Sequence, residues 1–500
     1  MILLPIFVTG LLSFALAFPQ RKSLMSIQER RDRAPDGYTR NVITPADHIL
    51  QLHIALVQND SKGPEDKLYS VSTPGSPDYG RHLSKEQVEA FVAPKPESIS
   101  AVHSWLSSHA ISAEAISPAG NWLSINITVD QANAFLDAEF STFTHQTTGK
   151  QAVRTLSYSV PADLKAHLSF VHPTVASPIE SVGSPVVVSK SKKQATLTSS
   201  SPAADYICAE EFTSTCAQDM YGIPATTAKQ TSNRIAISGF GDQWASQSDV
   251  QIFAGIYHPD LYNATFSVEL VDGGINNQDS PGDEAAFLLN SCPSVRTTKT
   301  ASTDSDILNT LLNEDDTPNI LTTSYSFDEP DLPFSIANAL CNAYAQLGAR
   351  GTGDGGVGGG ASGTDCTTFV PTFPSTCPFV TSVGGTDIFD SETGAAFSGG
   401  GFSNIFPIPS YQAADVASYL KSVVNANNGL FNVSGRAFPD ISARATSYQI
   451  IVDSLFALLN DELISAGATR VFGSADLCEQ ESINGYYDWN ESRMRDEWLQ

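Results

Sequence analysis

Histidine nearly disappears from the later part of this chain. Of nine histidines in 500 residues, eight (His48, His53, His82, His103, His109, His145, His167 and His172) precede residue 173, and only His258 follows. An imidazole base in the later part therefore has one candidate, beside Pro259 at the end of an expected helix, where a surface turn residue is the simpler reading. A zinc hydrolase is disfavoured on the same ground, with one histidine and no HExxH pattern. Cysteine is missing from the earlier part: Cys208, Cys216, Cys292, Cys341, Cys366, Cys377 and Cys478 all lie beyond residue 207. Positive charge is scarce in the later part. Residues 201–500 hold 11 basic and 37 acidic side chains, residues 1–200 hold 17 of each, and the whole net charge of −26 lies beyond residue 200. Phosphate contacts need a basic face, so nucleic acid and anionic membrane are excluded as partners of that part. After residue 17 no run approaches the roughly 20 apolar residues of a membrane-spanning helix.

These uneven distributions divide the chain into two units, and its length suffices for two or three domains with a large core. Residues 1–17 are almost wholly apolar and end in Ala15-Leu16-Ala17, the pattern of a cleaved secretory signal peptide. Sequons at Asn59, Asn126, Asn263, Asn432 and Asn490 fit a secreted glycoprotein. Cysteines of secreted proteins are usually paired, and seven leaves one over. Cys208–Cys216 and Cys366–Cys377 are plausible local bridges. The acidic later part suits low pH, where protonation relieves carboxylate repulsion; a merely soluble surface is the plainer alternative.

Periodicity gives the first unit, residues 18–180, a mixed α+β character. Helical spacing runs over 85–91 and 97–108, strand alternation over 122–129, and helical spacing again to Phe140. Residues 181–204 are rich in Ser and Val, carry Lys190, Lys192 and Lys193, and read as an exposed linker. Cleavage of a precursor is expected there, between about residues 185 and 205. The second unit, 205–500, alternates strands at 234–241, 265–271 and 319–323 with helices at 246–257, 307–313 and 334–347. That alternation implies a parallel, doubly wound sheet. No internal repeat is present.

Several stretches carry a more specific signal. In the first unit they are TPGSPDYGRHLSKEQV, NWLSINITVDQANAFLDAEFSTF and VRTLSYSVPADLKAHLSFVHPT; in the second, CAEEFTSTCAQDMYGIP, GARGTGDGGVGGGASGTDC and FSGGGFSNIFPIPSY. Over residues 40–467 the chain resembles the sedolisins, or serine-carboxyl peptidases, especially secreted fungal tripeptidyl-peptidases with their propeptide. The resemblance implies an α/β protein: a subtilisin-like parallel-sheet catalytic domain preceded by an α+β propeptide domain, made as a zymogen.

Sedolisins use a Glu base, an Asp four residues later that orients it, and a Ser nucleophile. Positions i and i+4 share a helix face, and neighbouring carboxylates can share a proton, which favours work in acid. The resemblance makes Glu284, in Gly282-Asp283-Glu284-Ala285, the base, although the i+4 position is Leu288. The alternative is a solvated first-turn residue, where acidic side chains are favoured anyway. It makes Asp354 the acid facing the oxyanion, in Gly353-Asp354-Gly355-Gly356-Val357-Gly358, with Gly355 where the family has Ser. Glycines let the backbone approach a substrate closely; an ordinary Gly-rich turn is the alternative.

Three departures accompany the match. No hydrophobic strand leads from Leu347 into the Asp354 loop. The G-T-S motif of the nucleophile is missing: residues 434–453 resemble what precedes it, residues 454–467 resemble the helix that follows, and the motif has dropped out between Asp453 and Ser454. Ser447 and Ser454 lie nearby without its context, so no nucleophile is assigned. The sequence diverges after residue 467. The family's calcium site is implied by the resemblance, but Ala475-Asp476-Leu477-Cys478 and Tyr487-Asp488-Trp489 are faint echoes of it, and no ligands are assigned.

Independently of any resemblance, a unit almost without histidine can hydrolyse peptides only through a carboxylate base and a stabilised oxyanion. One reading is a secreted, acid-acting serine-carboxyl peptidase that releases tripeptides from protein N-termini and is held by its own propeptide. A second is a catalytically inactive relative, or a sequence with skipped coding segments, lacking the nucleophile. A third is a secreted binding module. The histidine-rich, near-neutral first unit faces an acidic partner, which predicts an interface altered by acidification; scattered surface histidines are the alternative.

Overall fold

The computed structural model describes residues 24–35, 37–146, 149–176, 186–194, 208, 211–222, 235–240, 246–257, 259, 263, 265–271, 276–278, 295–300, 304–315, 317–318, 320–323, 325–347, 369–388, 392–395, 398–423, 429–452 and 455–460. The expected signal peptide lies outside these residues.

A four-stranded antiparallel sheet organises the first unit, in the order Glu114–Ala115, Trp122–Thr128, Ile49–Leu56, Leu168–His172. Successive strand side chains point to opposite faces. Leu52, Ile54, Leu56, Leu123, Ile125, Ile127 and Val171 turn to one face and pack with Val102, Leu106, Phe135 and Leu136 of two helices, Pro96–Ser108 and Val129–Leu136. Trp105 stacks on Phe135 at 3.9 Å between ring centroids in this core. The opposite face presents Ala55, Trp122 and Phe170, which belong to the core of the second unit. With both faces covered, Ile49–Leu56 loses its alternation and is buried throughout its last five residues.

Local signals set the helix ends. Ser84 and Gln87 form a capping box at the start of Lys85–Val92, and Thr128 and Gln131 form another at the start of Val129–Leu136. Each cap stabilises its helix by about 1 kcal/mol. Helical spacing reaches Phe140 in sequence, yet the helix stops at Leu136. Asp137 takes a left-handed conformation at φ 45°, and the Asn133 side chain accepts from the Phe140 N–H at 2.8 Å. Two smaller antiparallel groups complete the unit: Tyr38–Ile43 with Ser141–His145 and Gln151–Arg154, and Met25–Arg30 with Ser157–Pro161.

The second unit has the parallel sheet that its alternation predicts, with strand order Ser267–Val268, Val295–Thr300, Ile235–Phe240, Ile320–Thr322. Val383–Ile388 and Ile441–Arg444 form a second parallel pair. Helices Gln247–Tyr257, Asp304–Asn313 and Phe334–Leu347 form where helical spacing runs. The protein is thus mixed α/β, with an α+β first unit. The residues between Leu347 and Phe369, including the stretch without an apolar strand, lie outside the described residues.

Three expectations are revised. Cys208–Cys216 is a disulfide, but Cys377 pairs with Cys341, not Cys366, with Cα atoms 5.5 Å apart. Cys341 sits on the buried side of Phe334–Leu347, in the same core as Cys377 and Phe373. Residues 454–467, which resemble a helix, instead begin with strand Leu455–Asn460, paired antiparallel to Tyr448–Val452. Only two residues separate the paired Val452 and Leu455, a spacing that favours a hairpin over a strand-to-helix passage. Within the expected linker, Val186–Gln194 is a strand, antiparallel to Leu455–Asn460; its three consecutive valines favour extended backbone.

Candidate functional site at the interface of the two units

Glu284, Leu288 and Asp354 lie outside the described residues, as do Asp453, Ser454, Asp476 and Asp488. Ser447 is described. It turns the chain at φ 59° between Ile441–Arg444 and Tyr448–Val452, and its carbonyl accepts from the Phe212 N–H at 2.7 Å. Those features give it a place in the backbone turn. Calcium needs about six to eight oxygen ligands. Among the described residues no group of three His, Cys, Asp or Glu side chains could hold a metal ion.

The geometry that the structure does supply is the seam between the units. Helices Asp304–Asn313 and Phe334–Leu347 form its floor. Leu308, Leu311, Ala337, Leu340 and Tyr344 pack against Ala55, Trp122 and Phe170 of the first unit. Trp122, 5% exposed, meets Phe170, fully buried, edge-on at 5.3 Å between centroids. The Cys341–Cys377 bridge fastens the second helix to the segment carrying Phe373 and Val380.

Polar groups ring this apolar centre. Lys85 donates to the Asn313 carbonyl at 2.8 Å, placing a cation at the carboxyl end of Asp304–Asn313, where the helix dipole favours it. Asn313 Nδ2 reaches back to the Ile116 carbonyl at 2.7 Å. Asn342, buried in the second helix, accepts from Gln58 at 3.2 Å and donates to the Ser61 carbonyl at 3.1 Å. Tyr69 lies against Phe379 and Tyr411, with centroids 5.9 and 6.4 Å away. Arg31 pairs with Asp331 at 3.3 Å. Glu29 accepts from Tyr158 at 2.9 Å and from the Ser335 hydroxyl across the seam. Burial raises the Glu29 carboxyl above its ordinary range, while the hydrogen bonds from Ser335 and Tyr158 pull it down.

Two histidines enter the seam. His53 is 5% exposed and His172 6% exposed, and they stand opposite one another in the antiparallel register. His53 Nδ1 lies 3.5 Å from Asp306 Oδ1 on the Asp304–Asn313 helix, both side chains being buried. The sequence treats eight histidines alike. The distinguishing signal is the strand alternation that sets His53 with Ala55, and His172 with Phe170, against the core-facing Ile54 and Val171.

A second buried acid also escaped sequence reasoning. Glu329 accepts from the Ser403 hydroxyl at 2.5 Å and the Asn404 N–H at 2.7 Å. Burial raises its carboxyl despite these donors. It anchors strand Gly401–Pro407 to the short helix at Glu329–Asp331, and it is a structural acid.

Comparison with known proteins accounts for this two-unit arrangement. Residues 36–176 match the family model of the Pro-kumamolisin activation domain. The chain is 31% identical over 485 residues to tripeptidyl-peptidase SED2 of Arthroderma otae, covering 89% of this chain and 81% of that protein. It is 31% identical over 462 residues to tripeptidyl-peptidase SED4 of the same fungus, covering 84% and 76%. It is 30% identical over 478 residues to probable tripeptidyl-peptidase SED3 of Arthroderma benhamiae, covering 88% and 79%. The activation domain coincides with the unit whose open sheet face is seated on the two helices. With the extent of these matches, this chain belongs to the sedolisin family of peptidases, among the fungal tripeptidyl-peptidases that carry a propeptide.

Proposed function

We propose that the chain is the secreted zymogen of an acid-acting serine-carboxyl peptidase that releases tripeptides from the N-termini of proteins. Its catalytic domain would have the subtilisin-like parallel sheet of the family. The observation that carries the zymogen reading is the seam itself: Trp122 and Phe170, on one face of the activation-domain sheet, are buried in the core of the second unit. An apolar outer sheet face of this kind marks an interaction surface, which supports the two units being made together. In this reading Glu284 takes the proton of a serine nucleophile, and Asp354, protonated, donates to the oxyanion of the attacked carbonyl. Calcium would belong to the carboxyl-terminal part, with no ligands assigned.

A second reading has its own observation. Strand Leu455–Asn460 follows Val452 after two residues, where the family places the nucleophile motif and its helix. A chain built this way is a catalytically inactive relative, since loss of the nucleophile alone removes most of the catalysis. One experiment separates the two. The secreted product is processed at about pH 4, in the working range of paired carboxylates, and offered peptides with free and with blocked N-termini. Tripeptide release from the free N-terminus supports the first reading. Processed protein that binds peptide without cleaving it supports the second.

A further inference from the structure

Paired basic residues occur at three places in the sequence: Arg21-Lys22, Arg30-Arg31 and Lys192-Lys193. The first pair lies outside the described residues. The backbone treats the other two differently. Arg30 ends strand Met25–Arg30 and pairs with Ser157. The Arg31 N–H donates to the Leu156 carbonyl at 2.8 Å. The Arg31 guanidinium donates to the Val175 carbonyl at 3.0 Å and pairs with Asp331 at 3.3 Å. Main chain and side chain together hold this pair in the seam.

Lys192-Lys193 is placed otherwise. Among the described residues, Val186–Gln194 is the outer strand of a three-stranded sheet, with Leu455–Asn460 in the middle and Tyr448–Val452 beyond. Its ladder runs from Val186, opposite Asn460, to Lys190, opposite Ala457, and resumes at Gln194, opposite Leu455. Ser191, Lys192 and Lys193 therefore stand against Phe456 alone, three residues against one. The extra residues of a bulge leave the ladder, and bulges are common at sheet edges. An endopeptidase that takes its substrate as an extended strand uses the backbone groups that a ladder would occupy. A bond inside a ladder is cut after local opening, whereas this bulge offers main chain already out of its ladder.

We propose that Lys192-Lys193 is a maturation site: an endopeptidase of the secretory route that recognises paired basic residues cuts the chain in trans between Lys193 and Gln194. The inference rests on the zymogen reading and adds the bond that is cut and the class of enzyme that cuts it. Two adjacent cations select an enzyme with carboxylate-lined binding pockets. Water is the co-reactant. The C–N bond between Lys193 and Gln194 breaks, the water oxygen joins the Lys193 carbonyl carbon to give a carboxylate, and the two water protons pass to the Gln194 nitrogen to give an ammonium. The chain's own nucleophile takes no part, so the step proceeds equally in an inactive relative.

The ladder also defines what the cut leaves behind. Val186, Val187, Ser189 and Lys190 stay paired with Leu455–Asn460 as the end of the first piece, and Gln194 stays paired with Leu455 as the start of the second. No cysteine precedes residue 208, so no disulfide joins the pieces. The cut product is a two-chain protein held by the seam and by this ladder.

The test expresses the full chain in a eukaryotic secretory host that has its paired-basic endopeptidase and in one that lacks it, and sequences the amino termini of the product secreted at neutral pH. The first host gives a terminus at Gln194, and the second gives the uncut chain. Lys192→Gln combined with Lys193→Gln abolishes the Gln194 terminus, and Lys192→Arg combined with Lys193→Arg preserves it. Lys190→Gln, at a paired position, leaves it unchanged. Limited trypsin treatment of the uncut chain cuts after Lys192 or Lys193 before it cuts after Arg30 or Arg31. The reverse order of trypsin cutting overturns the proposal. So does a Gln194 terminus that survives loss of both lysines, or a chain left uncut by both hosts and processed later in acid; each leaves the zymogen reading standing. A chain that keeps both units joined in both hosts and stays whole in acid contradicts the zymogen reading itself, a different failure.

Discussion

Replacing Trp122 by alanine tests the two-faced sheet. Trp122 and Leu123 are neighbours on one strand, and the structure sends them to different cores: Trp122 into the seam and Leu123 into the activation domain. Truncating a buried tryptophan costs about 3–5 kcal/mol, and the lower figure suits a seam that can partly close. Loss of about 3 kcal/mol weakens docking by roughly two orders of magnitude. Leu123→Ala removes a similar amount, about 2–5 kcal/mol, from the folding of the activation domain. The assay pairs retention of the cut domain at pH 7.5 with urea unfolding of the intact chain. Trp122→Ala should release the cut domain while its own unfolding transition changes little. Leu123→Ala should lower that transition first. If the two substitutions act interchangeably in both measurements, the assignment of faces is wrong.

Other expectations follow from single contacts. Cys341→Ser should lower the melting temperature by the equivalent of about 2–4 kcal/mol, because the bridge closes a long loop and fastens the helix that receives the activation domain; no change in melting would refute that role. Glu329 holds its proton more tightly when folded, so its contribution is fully present below the ordinary carboxyl range and is lost as the pH rises through its raised value. Glu329→Gln should therefore lose less stability than the unsubstituted protein between pH 4 and pH 7, read from melting temperatures at about those two pH values. By the same sign, Glu29→Gln should make acid release of the activation domain steeper, and a shallower profile would contradict the docked burial of Glu29. Amino-terminal sequencing of the mature product should give a start between about residues 185 and 205; a start near residue 18 would remove the cleavage step.

Much of the architecture can be read from periodicity, and the reasons for the exceptions are physical. Phe334–Leu347 has the bounds expected from its apolar spacing, because a long amphipathic helix is specified by many residues at once. The short parallel strands vary more: 265–271 alternates, yet only Ser267–Val268 pairs, since parallel pairing depends on neighbours far away in sequence. Cys341–Cys377 was hidden because two partners 36 residues apart meet only after a helix packs. The run after Asp453 carries helix-like wording, but its two-residue distance from Val452 governs, and the backbone returns as a strand. The uneven histidine and charge distributions predict two units in contact, but which histidines are buried between them was not legible, because that depends on a sheet covered on both faces. The assignments of Glu284 and Asp354 rest on the family wording and lie outside the described residues.

The central claim is that carboxylates, with His258 the single imidazole beyond the activation domain, carry the proton in peptide cleavage. Tripeptide release by processed protein near pH 4, compared between the unsubstituted chain and Glu284→Gln, tests it most directly. The account predicts a fall of about 100-fold or more, the range expected on removing a general base. Release at the same rate after the substitution would contradict it.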